Sequence, residues 1–393
     1  PDFDLHPTTR MLTEALRPIR FGVGAWYMGA ERQHDGIAIL HSVAAALAPR
    51  AMGAKPDRSG KYRSCEDAHR GLQAALEDLG LQYDYVTEKR IINGILDSEN
   101  FKVLWLPHTH ALNPATADVI KAFTDRGGAV IADTMPGRFD HHLAPRPSPD
   151  LAELFNGESG RLFERELARY ERRYDEETDG RDESWGSQFR DALKTLLTDV
   201  GIECPVRIEG SDGPLPPRIE MVRWTRRGIE LIGVFHYPAV FRDRQEWPPP
   251  AQIRLSWEKP RAVHVLQEES SPGADRVTGI ELVVPVGRAR FAVLSPDRLD
   301  PVQLAVNRSV KQGNIVSARI KTGRKSVRPL LLQGWMPDGT EAMWMRKSLV
   351  LEDGNTLVEL PLAYNEEPGT WKLTATDWFA GSIAEATFEV GSM

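Results

Sequence analysis

The hydrophobic pattern of this chain changes once, close to Cys204, and this change limits the folds that the chain can adopt. Before Cys204, short apolar runs alternate with segments in which apolar residues recur every three or four positions. That arrangement is typical of buried strands alternating with amphipathic helices. After Cys204, short alternating runs occur that are separated by Gly, Pro and Asp. The sequence therefore predicts an α/β first half with a parallel sheet and an all-β second half.

The first half contains the residue patterns of four strands and several helices. We expect strands at Gly36–His41, Tyr83–Val86, Val103–Leu106 and Ala129–Ala132. We expect helices at Thr13–Leu16, Glu66–Leu79, Pro114–Arg126 (after the N-cap Asn113) and Ser187–Val200. The charged segment 158–183 is predicted to form a solvent-exposed helix whose apolar stripe consists of Leu162, Phe163, Leu167, Tyr170 and Tyr174. A lid or a partner-binding helix is the alternative for this segment.

The second half predicts two β-sandwich domains in succession. Strands of the first are expected at Val206–Glu209, Ile219–Trp224, Ile229–Phe235, Ala262–Leu266, Ile280–Val284 and Ala289–Leu294. Strands of the second are expected at Val302–Val306, Ile315–Thr322, Val327–Trp335, Met343–Val350, Thr356–Pro361, Thr370–Asp377 and Ala384–Val390. This second series lies within about 90 residues, as in an immunoglobulin-like sandwich. The predicted domains are a lead-in segment at 1–34, an α/β domain at 35–203, a small β-sandwich at 204–298 and an immunoglobulin-like β-sandwich at 299–393.

Composition excludes several classes of protein. The net charge of -7 and the isoelectric point near 5.9 do not fit a general nucleic-acid binder, which carries a basic stripe. No stretch reaches the ~18 apolar residues of a membrane span, and no signal peptide is recognisable. Cys65 and Cys204 are too few for a disulfide framework, and they fit a reducing compartment as well as a single bridge. We therefore expect neither a membrane nor a nucleic-acid partner, and the compartment stays open with the cytoplasm favoured.

Four segments of the α/β region carry a family resemblance in their order along the chain. They are DGIAILHS (Asp35–Ser42), LEDLGLQYDYV (Leu76–Val86), FKVLWLPHTHALNPATADVIKAF (Phe101–Phe123) and RGGAVIADTMPGRFD (Arg126–Asp140). This region resembles the amidotransferase-like trimerisation domain of family-42 glycoside hydrolases. The segments VHVLQ and RARFAVLSP resemble the small β domain that closes such enzymes, and Ala363–Gly381 resembles an immunoglobulin-like module of glycosidase-associated chains. The resemblance implies a flavodoxin-like or class I amidotransferase-like sheet for the first half.

The resemblance also implies what this chain lacks. In family-42 enzymes, two catalytic Glu residues lie on a (β/α)8 barrel that precedes the trimerisation domain. Such a barrel needs roughly 250 residues, whereas this sequence has 34 residues before Asp35, so no catalytic Glu can be carried over. The expected function is a non-catalytic ancillary or assembly region of a β-galactosidase-like glycoside hydrolase. The chain would be a fragment of a longer enzyme or would work beside a separate catalytic barrel, and its likeness implies a homo-oligomer such as a trimer.

Glutamine amidotransferases of related fold use a Cys on a tight turn after a strand. The equivalent turn here follows Ala129–Ala132 and carries Asp133 and Thr134. Cys65 precedes a predicted helix, and Cys204 lies outside the predicted sheet. Because a nucleophile needs an exposed turn and an adjacent base, we expect no glutaminase activity, no catalytic residue and no cofactor.

Polar residues follow the third and fourth predicted strands. If these strands are neighbours in a parallel sheet, their loops meet at the carboxyl edge, where ligands bind in such folds. Candidate ligand-binding residues are His108, His110, Asp133, Asp140 and His141, together with Ser42 at the end of the first strand. Imidazole and carboxylate groups are suitable metal ligands, but His-x-His on a loop is a weak pattern and no metal site is assigned. The alternatives are a hydrolase that uses this His/Asp site and ordinary polar residues of surface loops.

Aromatic residues suggest two further surfaces. Trp247 lies in the proline-rich segment EWPPP and is the candidate for stacking on a sugar ring, which would make the chain a carbohydrate-binding module. The other tryptophans of the β half are expected in the core. Tyr83, Tyr85, Trp105 and Phe123 need cover in the α/β domain, which either the domain core or a self-association interface would supply.

Overall fold

A computed structural model describes residues 9, 13, 16, 19–55, 64–157, 159–172, 183–211, 213, 215–216, 219–237, 249–266, 274–323 and 326–392. The first half contains a parallel sheet with helices on both faces, and the remaining strands form mainly antiparallel sheets. This architecture confirms the predicted fold class, an α/β region followed by an all-β region. Within the described ranges, no helix is both long and apolar enough to cross a membrane.

The first half follows the predicted alternation of strands and helices. In chain order its elements are a π-helical turn (Ile19–Val23), α1 (Gly24–Tyr27), β1 (Glu31–Arg32), β2 (Ile37–His41), α2 (Val43–Ala51), α3 (Ser64–Asp78), β3 (Tyr83–Thr87), α4 (Glu88–Ile92), α5 (Ile95–Ser98), β4 (Val103–Leu106), α6 (Pro114–Asp125), β5 (Ala129–Ala132), α7 (Ala152–Asn156), β6 (Gly160–Leu162), α8 (Leu167–Arg172) and α9 (Glu183–Asp199). Strands β4 and β5 have the predicted bounds, and Asn113 caps α6 by accepting a hydrogen bond from the backbone N–H of Ala115 at 2.9 Å. The other helix and strand ends differ from prediction by a few residues.

The parallel sheet has the strand order β3-β2-β4-β5-β6 in the described part of the chain. This is the order of the flavodoxin-like fold, in which the chain direction across the sheet reverses between the first and third strands. Here those two strands are β2 and β4, which pair directly through Ile37↔Val103 and Ile39↔Trp105. The loops after β2 and β4 therefore diverge at the point where such sheets bind ligands.

Both faces of this sheet are covered because the helices have apolar faces. Helix α3 buries Ala68, Leu72 and Leu76, whose spacing places them on one side, and it packs with α8 and α9 on one face. Residues of α4, α5 and α6 form the core on the other face. A Cβ atom on Gly71 would lie 1.8 Å from the carbonyl oxygen of Leu167, so glycine is needed where α3 meets α8.

The prediction of one continuous exposed helix over 158–183 is wrong in the described part of that segment. Residues Gly160–Leu162 form the edge strand β6, which pairs in parallel with β5, and α8 begins only at Leu167. The backbone groups at the edge of β5 form hydrogen bonds with β6. After β6, Phe163 packs against Trp105 with ring centroids 5.7 Å apart. Tyr170, a member of the predicted apolar stripe, is fully buried. Tyr174 lies outside the described residues.

The second half consists of strands over its described residues. They are β7 (Val206–Gly210), β8 (Ile219–Arg226), β9 (Ile229–His236), β10 (Ala251–Val265), β11 (Ala274–Val284), β12 (Arg288–Ser295), β13 (Gln303–Val306), β14 (Ser309–Lys311), β15 (Ile315–Lys321), β16 (Arg328–Trp335), β17 (Glu341–Leu351), β18 (Asn355–Pro361), β19 (Gly369–Asp377) and β20 (Ser382–Gly391). The predicted strand Ala262–Leu266 is only the end of β10. Pro260 interrupts the sequence pattern, and the pairing of β10 with β11 shifts register between Ser256 and Arg261.

The middle part of the chain is held together by the long strand β10. Its first half pairs with β7, its second half pairs with β12, and β11 runs along both halves. The described strands thereby form a continuous antiparallel sheet that folds over one apolar core, with Ile208, Ile232 and Ile253 among its buried residues. A sheet folded in this way gives the layered packing of a sandwich.

The lead-in segment packs between the two β regions. Strand β1 pairs with β8, and Trp26 is completely buried against Phe379 with ring centroids 5.0 Å apart. The indole N–H of Trp26 donates to the carbonyl oxygen of Val327 at 3.1 Å, and that of Trp378 donates to the carbonyl oxygen of Phe21 at 3.2 Å. The lead-in therefore joins the middle and last β regions. Of the predicted helix Thr13–Leu16, the two end residues are helical and the residues between them lie outside the described part.

The last part of the chain is a sandwich of two sheets. One sheet has the order β13-β15-β18, and the other has the order β14-β20-β19-β16-β17 over the described residues. Apolar residues from both sheets meet between them, including Ile320, Leu332 and the fully buried Trp371. The alternation of buried and exposed residues along these strands explains why the sequence could predict them.

Candidate functional site

His108 and Asp133 lie in contact at the carboxyl edge of the parallel sheet. Strands β4 and β5 pair through Leu106↔Ala132, which places the two following loops side by side. One carboxylate oxygen of Asp133 accepts the backbone N–H of His108 at 2.7 Å, and the other lies 2.6 Å from Nδ1 of His108. Asp133 thus fixes both the backbone and the imidazole of His108. The sequence predicted that the two loops would meet, and the structure brings these two residues together.

The backbone of His108 adopts a conformation that few non-glycine residues adopt. Its φ angle is 43°, in the left-handed region, where a side chain normally costs conformational energy. The two hydrogen bonds from Asp133 hold the turn in place. Strained backbone of this kind clusters at functional sites, where the surrounding structure must compensate for it.

The pKa values of the two histidines at this edge shift in opposite directions. Burial opposes a charge on His108, but the hydrogen bond to Asp133 and the carboxylates of Asp133, Asp67 and Glu166 outweigh it and raise the pKa of His108 above 6.5. Burial and the neighbouring charge of His108 lower the pKa of His110 below 6.5. Near neutral pH, His108 therefore carries more of the positive charge, and His110 is neutral. The rings lie 5.5 Å apart.

Two buried polar atoms near this pair have no hydrogen-bond partner among the described residues. They are Nδ1 of His110 and Oγ1 of Thr134, which follow β4 and β5. Buried polar groups are nearly always paired with protein or with ordered water. The edge therefore has unused hydrogen-bonding capacity next to His108 and Asp133.

Asp140 and His141 do not join this cluster. The carboxylate of Asp140 accepts the backbone N–H groups of His142 and Ala144, both at 2.9 Å, and so closes its own turn. These hydrogen bonds lower the pKa of Asp140. His141 is exposed, and its ring lies against that of His142 in a tilted arrangement with ring centroids 4.0 Å apart. The sequence predicted these residues at the edge that follows β5, but it could not show that the Asp140 side chain would close a local turn instead.

Ser42 serves local structure at the end of β2. Its hydroxyl accepts the backbone N–H of Ala45 at 3.2 Å as the N-cap of α2, and it donates to Glu88 at 2.5 Å. The second carboxylate oxygen of Glu88 accepts the backbone N–H of Asn113 at 2.9 Å. Glu88 therefore ties the loop after β2 to the loop after β4. Sequence reasoning missed Glu88, for which the only signal is its place directly after β3.

Neither cysteine is arranged as a nucleophile. Cys65 is buried, its Sγ lies 3.7 Å from Nδ1 of His69, and burial, Asp133 and Glu66 raise the pKa of its thiol to about 12. The nitrogens of His69 already lie 2.7 Å and 2.8 Å from the carbonyl oxygens of Cys65 and Leu40. Burial also raises the pKa of Cys204 to about 11. Both residues are therefore thiols, not thiolates, at neutral pH.

The remaining predictions concern a metal site, the sugar-stacking candidate Trp247 and the aromatic residues of the α/β domain. In the described residues, no group of three or more His, Cys, Asp or Glu side chains is placed to hold a metal ion. Trp247 lies outside the described residues. Trp105, Phe123 and Tyr83 are buried in the domain core, as the alternative reading of these aromatics expected, and Tyr85 is partly buried.

Comparisons with known proteins do not assign a family. No family model and no curated protein matches the sequence. Solved structures with some likeness include a GH42 β-galactosidase from G. stearothermophilus in its catalytic-mutant form, with 10% identity, 74% of this chain and 44% of that chain covered, and a TM-score of 0.48. Another is an exo-carrageenase of GH42 from Bacteroides ovatus, with 12% identity, 67% and 30% covered, and a TM-score of 0.39. The chain spans less than half the length of either, and likenesses this weak do not decide its function.

Proposed function

We propose that this chain is a non-catalytic ancillary region of a β-galactosidase-like glycoside hydrolase, whose α/β domain serves assembly. The ordered segments from Asp35 to Asp140 that resemble the trimerisation domain support it, together with the flavodoxin-like strand order. The observation that carries the proposal is the identity of the residue after β5. Asp133 stands where an amidotransferase would have its nucleophile, and both of its carboxylate oxygens are engaged by His108.

The exposed face of α2 is the surface on which assembly would depend. Val43 and Leu47 are one helical turn apart and 70% and 52% exposed, and Met52 just beyond the helix is 42% exposed. Residues four apart lie on the same face of a helix. Apolar side chains that cluster on a surface mark interaction sites more often than single exposed ones. The predicted interface aromatics are mostly buried, so α2 takes their place in the proposal.

We expect the purified chain to release neither glutamate from glutamine nor nitrophenol from a chromogenic β-galactoside. Asp133 rather than a cysteine follows β5, and the described residues form no barrel that would hold two carboxylates about 5–10 Å apart around a sugar. Both reactions are measured by product release at several pH values. Turnover above a heat-denatured control, lost on a single substitution in this chain, would contradict the non-catalytic proposal.

The His108–Asp133 contact favours one second candidate, a hydrolase that uses His108 as a general base. A carboxylate that is 3% exposed and bonded to Nδ1 orients an imidazole as in hydrolytic triads, and leaves Nε2 for a proton from water or substrate. The same assays distinguish the two candidates. Activity abolished by His108→Asn and by Asp133→Asn, but retained in His141→Asn, would favour the hydrolase. His141 is the matched control because it is an exposed histidine of the same edge region.

A further inference from the structure

The α/β region and the middle β region meet along helix α3 and strand β8. Gln82, just before β3, donates through its side chain to the carbonyl oxygen of Met221 in β8. Gly80 lies so close to β7 that a Cβ atom there would be 2.4 Å from the side chain of Ile208. The carbonyl oxygen of Gly80 also accepts the Cys204 thiol at 3.5 Å. The end of α3 is therefore packed tightly onto the middle β region.

Glu77, on the last turn of α3, lies at this contact in an unusual setting for a carboxylate. One of its oxygens accepts the phenol O–H of Tyr83 at 2.9 Å and the side-chain N–H of Gln73 at 2.8 Å. Neither partner carries a positive charge. Glu220 precedes Met221, the β8 residue that Gln82 contacts, and its carboxylate accepts the phenol O–H of Tyr237 at 2.5 Å. Its negative charge acts on Glu77, so acidic side chains from two regions of the fold interact across this contact.

The groups around Glu77 favour its neutral form on balance. Burial comes first, followed by repulsion from Glu220, and together with Asp78 they raise the pKa of Glu77 to about 7, against the hydrogen bonds from Gln73 and Tyr83. Burial and the charge of Glu77 also raise the pKa of Tyr85 on β3. Arg32 on β1 is a basic residue near this group. Its guanidinium lies 6.0 Å from the centre of the Tyr83 ring, and its charge opposes the rise in the pKa values of Tyr85 and Tyr237.

We propose that the α3–β8 contact is an acid-stabilised latch, closed when Glu77 is protonated and loosened when Glu77 and Glu220 are both ionised. The sign follows from proton binding. Below pH 4.5, Glu77 is protonated in the folded and the unfolded chain, and it favours neither. Between pH 4.5 and about 7 the unfolded chain has lost this proton while the folded chain keeps it, so each rise in pH weakens the folded contact. Above about pH 7 Glu77 is ionised in both states, and the loss of stability reaches its full size.

Glu77→Gln tests the latch because glutamine mimics the protonated carboxyl and can still accept from Tyr83 and Gln73. We expect its melting temperature to exceed that of the wild-type protein only slightly at pH 5 and by about 2–4 °C at pH 8. Glu66→Gln is the matched control, since Glu66 lies on the same helix with its side chain 52% exposed. It should leave the pH profile unchanged. A Glu77→Gln difference of the same size at both pH values would overturn the proposal.

Two further measurements follow the latch itself. The carboxyl carbon of Glu77, observed by NMR in protein labelled at glutamate, should titrate with a midpoint near pH 7. In Glu220→Gln the midpoint should fall, because one like charge is removed. Amide hydrogen exchange in β8, compared at pH 8, should be slower in either Gln variant than in the wild-type protein. A wild-type midpoint below about pH 5, close to the ordinary value for glutamate, would refute the latch.

Discussion

Replacing Asp377 with alanine is expected to lower the free energy of unfolding of the last β region by about 3–5 kcal/mol. Asp377 and Arg328 are both completely buried, with 3.0 Å between the guanidinium and the carboxylate. The other carboxylate oxygen of Asp377 accepts the backbone N–H groups of Phe379 at 2.9 Å and Ala380 at 3.0 Å. The substitution leaves a buried positive charge without its counter-ion, and it leaves the N–H groups of the buried Phe379 and the partly buried Ala380 without their acceptor.

Hydrogen exchange of the β16 and β19 amides measures this loss within the intact chain. The double substitution Arg328→Met with Asp377→Leu should be much more stable than Asp377→Ala, since it removes both charges and fills the space with apolar atoms. If Asp377→Ala changes protection by less than about 1 kcal/mol, the value typical of exposed pairs, then the pair is hydrated rather than buried.

Replacing Arg223 with alanine should cost a similar amount, about 3–5 kcal/mol, at the junction of the α/β and middle β regions. The guanidinium of Arg223 is 4% exposed and bonds the carboxylate of Asp35, whose side chain is 1% exposed. Asp35 also accepts the backbone N–H of Gln82 at 2.7 Å. Without Arg223, the Asp35 carboxylate would be buried with no charged partner.

The loss of stability in Arg223→Ala, relative to the wild-type protein, should depend on pH. Burial already raises the pKa of Asp35, and the attraction of Arg223 opposes that rise. Removing Arg223 raises the pKa further, so protonation relieves the unpaired charge and the deficit is smaller at pH 5 than at pH 8. Urea unfolding at both pH values measures it. Arg126→Ala is the control, because Arg126 and Asp97 are 48% and 59% exposed and such pairs contribute about 1 kcal/mol or less. Equal deficits for the two variants would rule out a buried pair.

The strands of the α/β region could be predicted because the apolar residues of each run are also the residues that the folded sheet buries. Val103–Leu106 and Ala129–Ala132 are short, wholly apolar runs that only a doubly covered sheet can bury. Strand β6 escaped prediction because Gly160–Leu162 has no apolar run, and its conformation is decided by the free edge of β5. Strand β14 was not predicted for the same reason, since its conformation depends on pairing with β20 near the far end of the chain.

The candidate site was predictable only in part. Parallel strands bring their carboxyl ends together, so the meeting of His108 and Asp133 follows from topology. The roles of Ser42 and Asp140 were not accessible, because the turn or helix end that engages each side chain depends on backbone geometry. Glu77 carried no sequence signal at all. Its partner Glu220 lies 143 positions later in the chain, and only the packing of α3 on β8 brings them together.

Light scattering during size-exclusion chromatography over a range of loading concentrations tests the proposed assembly role. The wild-type chain of 44.0 kDa should elute with a mass that is a multiple of this value, roughly three copies if the resemblance holds. Leu47→Asp should reduce the mass to 44.0 kDa, because it places a charge on the exposed face of α2. Leu357→Asp, at a leucine 54% exposed in the last β region, should not. A wild-type mass of 44.0 kDa that stays constant as concentration rises would contradict self-assembly through the α/β domain.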